Sequence, residues 1–194
     1  MRKRIILFIA LTALGLAAGA LVGRYLPPDT APPLPPGGDF TLQSADGPVT
    51  AASLRGKVVL LYFGYTACPD VCPTSLALIV GALKALDAAE LARVQVLFVS
   101  VDPDHDTPAK LTQYASYFHP NIIGATAPAP VLAEIAARYG ARFRVERLES
   151  AAGYAVDHTS FTTVIAPDGK LTEQLPHGTL PDEIVAAVRR ALHT

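Results

Sequence analysis

The sequence predicts an α/β fold carried behind an N-terminal transmembrane helix, and three observations predict it. Two apolar runs, GKVVLLYFGY at 56–65 and VQVLFVSVD at 94–102, read as buried central strands. Amphipathic helical patterns alternate with them along the second half of the chain. Residues 5–23, IILFIALTALGLAAGALVG, carry no charge at all.

The uncharged stretch comes first. At about 1.5 Å per residue a helix of this length spans roughly 28 Å, close to the hydrocarbon thickness of a bilayer. Arg2, Lys3 and Arg4 precede it and only Arg24 follows closely. The positive-inside bias then keeps the N-terminus in the cytoplasm and exports the rest, so residues 1–24 read as a single-pass anchor in the inner (cytoplasmic) membrane with the body on the periplasmic side. The small-residue run Ala18-Gly19-Ala20 leaves a cleaved signal peptide as the alternative. No cysteine ends the segment, which excludes lipid attachment there. Residues 25–38 follow as a linker: six prolines between positions 27 and 38 favour an extended polyproline II spacer. Beyond residue 24 there are 12 basic against 17 acidic residues, and a net charge of −5 argues against a nucleic-acid partner.

Residues 39–194 form the remaining domain. After the first central strand a helix is expected from about Pro73, with Leu76, Ile79, Val80 and Leu83 on one stripe. After the second, TPAKLTQYASYF at 107–118 opens with Thr107 as N-cap and Pro108 at the first helical position. PAPVLAEIAARYG at 128–140 is a further helix closed by Gly140. SFTTVIAPDGKLTEQL at 160–175 reads as a hairpin turning at Asp168-Gly169, and LPDEIVAAVRRAL at 180–192 as a terminal amphipathic helix. Strand, helix, strand, helix, hairpin and helix in that order is the thioredoxin-like pattern.

Both cysteines, Cys68 and Cys72, lie where the first central strand passes into its helix, and each is followed by proline. On a regular helix, residues four apart have Cβ atoms about 5–6 Å apart, whereas a relaxed disulfide prefers about 3.8 Å. Two thiolates sharing one ion tolerate the wider gap, because each metal–sulfur bond adds about 2.3 Å. The spacing therefore suits chelation and leaves a strained, reducible disulfide open. A purely structural disulfide closes too small a loop to constrain the unfolded chain much. Pro73 would disrupt a helix already running through Cys68, so Cys72 is expected at the helix cap and Cys68 in the loop before it. A helix N-terminus there would lower the thiol pKa.

A soft two-sulfur site needs a third donor, and there are five histidines. His177 and His193 read as solvated, and His119 as a helix-end residue serving the dipole. His105, in VDPDHDTP after the second strand, is the weaker ligand candidate. His158, in GYAVDHTSF just ahead of the strand FTTVIA, is the stronger. Thioredoxin-like folds keep a proline in that loop against the cysteine pair; here Asp157-His158-Thr159 stands instead, and an imidazole makes an S₂N site. Asp157 is placed to orient that imidazole, with an ordinary surface salt bridge as the alternative.

FGYTACPDVCPTSL, FVSVDPDHDTP and YAVDHTSFTTVIAPDGK together resemble the SCO/SenC family, membrane-anchored copper-binding proteins required to assemble the copper centre of haem–copper respiratory oxidases. The resemblance implies that Cys68, Cys72 and His158 bind one copper per monomer, as Cu(I) or Cu(II), and that Cys68 and Cys72 also cycle to a disulfide. It implies a metallochaperone whose partner is the copper-site subunit of an oxidase, with a second role in reducing that subunit's cysteines. Another copper chaperone or a thiol reductase would be a further partner. His105 receives no copper role from it. The competing reading is an exported thiol–disulfide oxidoreductase without an obligatory metal. A peroxiredoxin-like activity fits less well, because Tyr65 stands where such enzymes place a threonine.

Overall fold

Why residues 58–64 and 94–100 are rich in apolar side chains follows from where they sit. The computed structural model describes residues 33–147 and 154–194. In it β1 (Thr41–Ser44) and β2 (Gly47–Thr50) form a small antiparallel hairpin, and β3 (Val58–Gly64) follows. Every residue of β3 is buried, as is every residue of β4 (Val94–Ser100), which lies parallel to it with Val58 opposite Val94 and Gly64 opposite Ser100. A strand with water on neither face has no reason to alternate. Parallel neighbours need a long crossover, supplied by α1 (Val71–Ala85) and the short α2 (Ala88–Ala92).

The chain then passes through α3 (Pro108–Phe118) to β5 (Ile122–Ala125), parallel to β4, and on to α4 (Ala129–Arg138). β6 (Phe143–Arg147) and β7 (Tyr154–His158) pair only with each other. β8 (Thr162–Ile165) runs antiparallel to β3, β9 (Leu171–Leu175) antiparallel to β8, and α5 (Pro181–Leu192) ends the domain. The main sheet has the order β5-β4-β3-β8-β9, so β3 is its central strand. α1 packs against α5, which in turn lies on β8 and β3. This is the expected mixed α/β, thioredoxin-like architecture, and residues 34–194 form one compact unit.

Local signals explain the boundaries. Thr107 caps α3 by accepting the Lys110 N–H at 3.3 Å, with Pro108 at the first helical position. Gly169 turns the β8–β9 hairpin at φ +82°, and a Cβ there would lie 1.8 Å from the Arg55 guanidinium. The stripe Leu76, Ile79, Val80 and Leu83 of α1 is buried as expected.

Two differences bear on the site. α1 begins at Val71, two residues before Pro73, so Cys72 is already inside the first turn. Pro73 is harmless there because first-turn N–H groups have no intrahelical acceptor. The ribbon β6–β7 was not expected at all. FRVER and YAVDH contain no apolar run, and among β7 residues only Val156 is buried. The anchor at 1–24, and the linker at 25–38 up to residue 32, lie outside the described residues. No helix among the described residues is long and apolar enough to cross a membrane.

Candidate metal centre

The C-terminal end of β3 delivers the chain into a loop carrying Cys68, and α1 brings the chain back with Cys72 as its second residue. Cys68 N–H donates to the Tyr65 carbonyl at 3.3 Å, which folds the loop over; Cys72 N–H then donates to Cys68 Sγ at 3.4 Å. Both cysteines are free thiols, Cys68 partly exposed and Cys72 fully buried. Gly64 makes room for the inner sulfur: a Cβ on it would lie 2.8 Å from Cys72 Sγ and 2.9 Å from the Phe98 ring. A glycine at the end of a central strand marks such a close approach.

The third group arrives from elsewhere. His158, the last residue of β7, places Nε2 3.3 Å from Cys72 Sγ. Its ring stands edge-on to Tyr62 and Tyr65, with centroids 6.3 and 5.8 Å away. Nδ1 lies 2.9 Å from the Thr159 carbonyl. A carbonyl can only accept, so Nδ1 donates to it and Nε2 is the ring nitrogen turned toward the sulfurs. Cys68 Sγ, Cys72 Sγ and a ring nitrogen of His158 all lie within 4.8 Å of one another. Bonds of about 2.0–2.3 Å to one central ion require a donor triangle of about this size.

Electrostatics revise one expectation. The helix terminus was expected to favour thiolates, yet burial pushes the Cys72 thiol well above its usual range. A terminal dipole contributes about 0.3–1 kcal/mol, whereas full burial can shift a group by several pKa units, so desolvation wins. The inner sulfur therefore keeps its proton until an ion replaces it. The loop itself is pinned by Asp106, which is fully buried. Thr66 donates to Asp106 through both its N–H, at 2.8 Å, and its hydroxyl, and Ser100 Oγ and Lys110 Nζ donate at 2.7 and 2.9 Å. Burial alone would raise the Asp106 pKa, but these donors outweigh it and hold the carboxyl below its ordinary range.

Of the residues singled out in the sequence, Cys68, Cys72 and His158 come together. Asp157 does not orient the imidazole: it is solvent-exposed, and the Thr159 carbonyl takes that place. Neighbouring strand residues project to opposite faces, so adjacency in sequence misleads here. His105 is not in the cluster; it bonds Asp102 and stacks on Tyr154. His177 is exposed but also bonds the buried Ser75, at 2.9 Å. Tyr62, Tyr65 and Asp106 were missed, and only the glycine at 64 hinted that something packs against the end of β3.

The SCO1/SenC family model matches residues 28–193. The mitochondrial SCO2 homolog of Bos taurus is 37% identical over 155 residues, which cover 79% of this chain and 58% of the bovine protein, so the match reaches less than two thirds of that relative's length. The structure of Bradyrhizobium japonicum ScoI with copper bound is 36% identical, with a TM-score of 0.72 over 80% of this chain and 99% of that one. BsSco, reported with a disulfide switch and as a member of the Sco family of cytochrome c oxidase assembly proteins, is 28% identical, with a TM-score of 0.65 over 83% of this chain and 95% of that one. With nearly all of the folded domain matched in sequence and in shape, the chain belongs to the SCO1/SenC family.

Proposed function

We propose that the protein is a copper metallochaperone that delivers one copper per monomer to the copper centre of a haem–copper respiratory oxidase. The observation that carries this reading is the convergence of two sulfurs and an imidazole nitrogen within 4.8 Å. Soft thiolates suit Cu(I), and an imidazole extends the set to Cu(II), so one site can hold the cargo in either state. A transfer site must also be open to a recipient's ligands. Cys68 is partly exposed and His158 half-buried, so two of the three donors are reachable from solvent. The oxidase partner is supported by the likeness to BsSco, of the Sco family of cytochrome c oxidase assembly proteins, and copper by the likeness to copper-bound ScoI.

The uncharged stretch at 5–23 and the proline-rich linker support an inner-membrane anchor with a cytoplasmic N-terminus, holding the domain on the periplasmic side. Reduction of the recipient's cysteines is a second role of the same pair, supported by its two free thiols and by the disulfide switch of BsSco. Copper titration of the reduced protein tests the first role. One equivalent should bind with a thiolate-to-Cu(II) charge-transfer band, and unchanged Cu(II) affinity in His158→Ala would sink the three-ligand site. Turnover of a disulfide substrate by copper-free protein, undiminished in His158→Ala, would instead favour a thiol–disulfide oxidoreductase without an obligatory metal.

A further inference from the structure

We infer that Tyr154 and Asp102 are positioning residues that set where the His158 imidazole meets the two sulfurs, an inference that rests on the copper site proposed above. β6–β7 stands apart from the five-stranded sheet, and a two-stranded ribbon on its own is marginal in water. Its near end is closed within the ribbon, where Thr159 N–H donates to the Arg142 carbonyl and Arg142 N–H to the Thr159 hydroxyl, at 3.0 and 3.2 Å. Its far end is tied to the body of the domain by a side chain. Tyr154 hydroxyl donates to Asp102 Oδ2 at 2.7 Å.

The tie has a rigid receiver. Asp102 is 4% exposed, and its other oxygen lies 2.8 Å from His105 Nδ1. The His105 ring is stacked on Tyr154, with centroids 4.5 Å apart and planes at 16°. Asp102 and His105 therefore grip the phenol at its hydroxyl and its face. Tyr154 and His158 are four residues apart in one strand and share a face, about 13 Å along it at roughly 3.3 Å per residue. Movement of the tied end is carried to the imidazole.

The same segment holds the sulfur side. Asp102 N–H donates to Ser100 Oγ at 3.1 Å, Ser100 Oγ to Asp106 at 2.7 Å, and Asp106 holds Thr66, two residues before Cys68. Residues 100–106 thus act as a common gauge for the cysteine loop and for the ribbon that carries the histidine. This gives His105 a use outside the metal site.

Tyr154→Phe removes the hydroxyl and keeps the ring. In the full chain, reduced, we expect Cu(II) affinity to fall about tenfold, as for loss of groups that orient ligands, with a shifted thiolate-to-Cu(II) band. Cu(I) affinity, held by the sulfurs, should change by less than about threefold. In the copper-free protein, hydrogen exchange should accelerate in β7 and stay unchanged in β3 and β4, which also confirms folding. Asp102→Asn keeps an oxygen to accept from Tyr154 and should lose less than Tyr154→Phe. Wild-type Cu(II) affinity and band in Tyr154→Phe, with the loss intact in His158→Ala, would overturn the positioning role and leave the copper reading standing. If His158→Ala also binds as the wild type does, the copper reading fails. The exchange rates of β7 then decide the tie alone, and unchanged rates overturn it.

Discussion

Cys72 rides on a helix that follows a strand buried along all seven of its residues, and it is fully buried, with its sulfur where a Cβ on Gly64 would stand. His158 ends a five-residue strand with a single partner, on a ribbon where Val145 is 58% exposed. The two sides of one centre are thus held with very different stiffness. The inner sulfur's position is set by the core of the domain, and the outer one by a loop pinned to the buried Asp106. Imidazole geometry is set by edge-on contact with Tyr62 and Tyr65 and by a ribbon held through a few hydrogen bonds. A site built this way would keep its hold on a soft ion through the sulfurs and vary its third donor at small cost in free energy, which suits the copper delivery proposed above.

The largest effect should come from the stiff side. Cys72→Ser replaces a soft donor by a hard one at a buried position, and competition against a Cu(I) chelator should show affinity falling by more than about 100-fold. Retained affinity would mean that the core does not define the site. Next is His158→Ala, where the comparison predicts a split. Cu(II) affinity should drop on the order of 100-fold, about 2.8 kcal/mol, while Cu(I) affinity drops less than about tenfold. Equal losses in both states would show that the imidazole is as integral as the sulfurs.

Gly64→Ala probes the stiff side without replacing a ligand. Its Cβ would crowd Cys72 Sγ, the Phe98 ring and the Tyr62 ring, at 2.8, 2.9 and 3.1 Å. Overpacking of this kind costs about 1–3 kcal/mol, readable by urea unfolding, and an unchanged midpoint would show that the sulfur can shift freely.

The smallest effect is one of acid. The native Asp106 carboxyl titrates below its ordinary value, because donors from Thr66, Ser100 and Lys110 outweigh burial. Its contribution is therefore fully present above the unfolded-state pKa of about 3.9 and is lost as pH falls through the lower native value. The stability difference between wild type and Asp106→Asn should be flat above about pH 5 and shrink below about pH 4, where the carboxyl of the unfolded chain protonates first. A difference that grows on acidification would reverse the assignment.

What the sequence made legible follows the same division. β3 and β4 announce themselves as runs rich in apolar side chains because both faces are buried, and the turn at Asp168-Gly169 and the cap at Thr107 are local chemistry that needs no tertiary context. The cysteine pair is legible from its place between strand and helix. His158 is legible as a residue type ahead of β8, but the ribbon presenting it is not, because FRVER and YAVDH bury too little to leave a pattern. The raised pKa of Cys72 is invisible in sequence as well: position at a helix terminus can be read from spacing, whereas burial depends on how the helix packs on the sheet. Asp157 shows the converse error, since nearness along a strand is separation across it.

Unequal burial of the two sulfurs gives the pair a direction. A thiol or an alkylating reagent arriving from water meets Cys68, while Cys72 lies behind it with none of its surface exposed. A mixed disulfide with a partner is thus expected on Cys68, with Cys72, once it gives up its proton, the sulfur placed to attack Cys68 Sγ and release the partner's thiol. A bulky maleimide should accordingly label the native reduced protein once, at Cys68, and reach Cys72 only after unfolding.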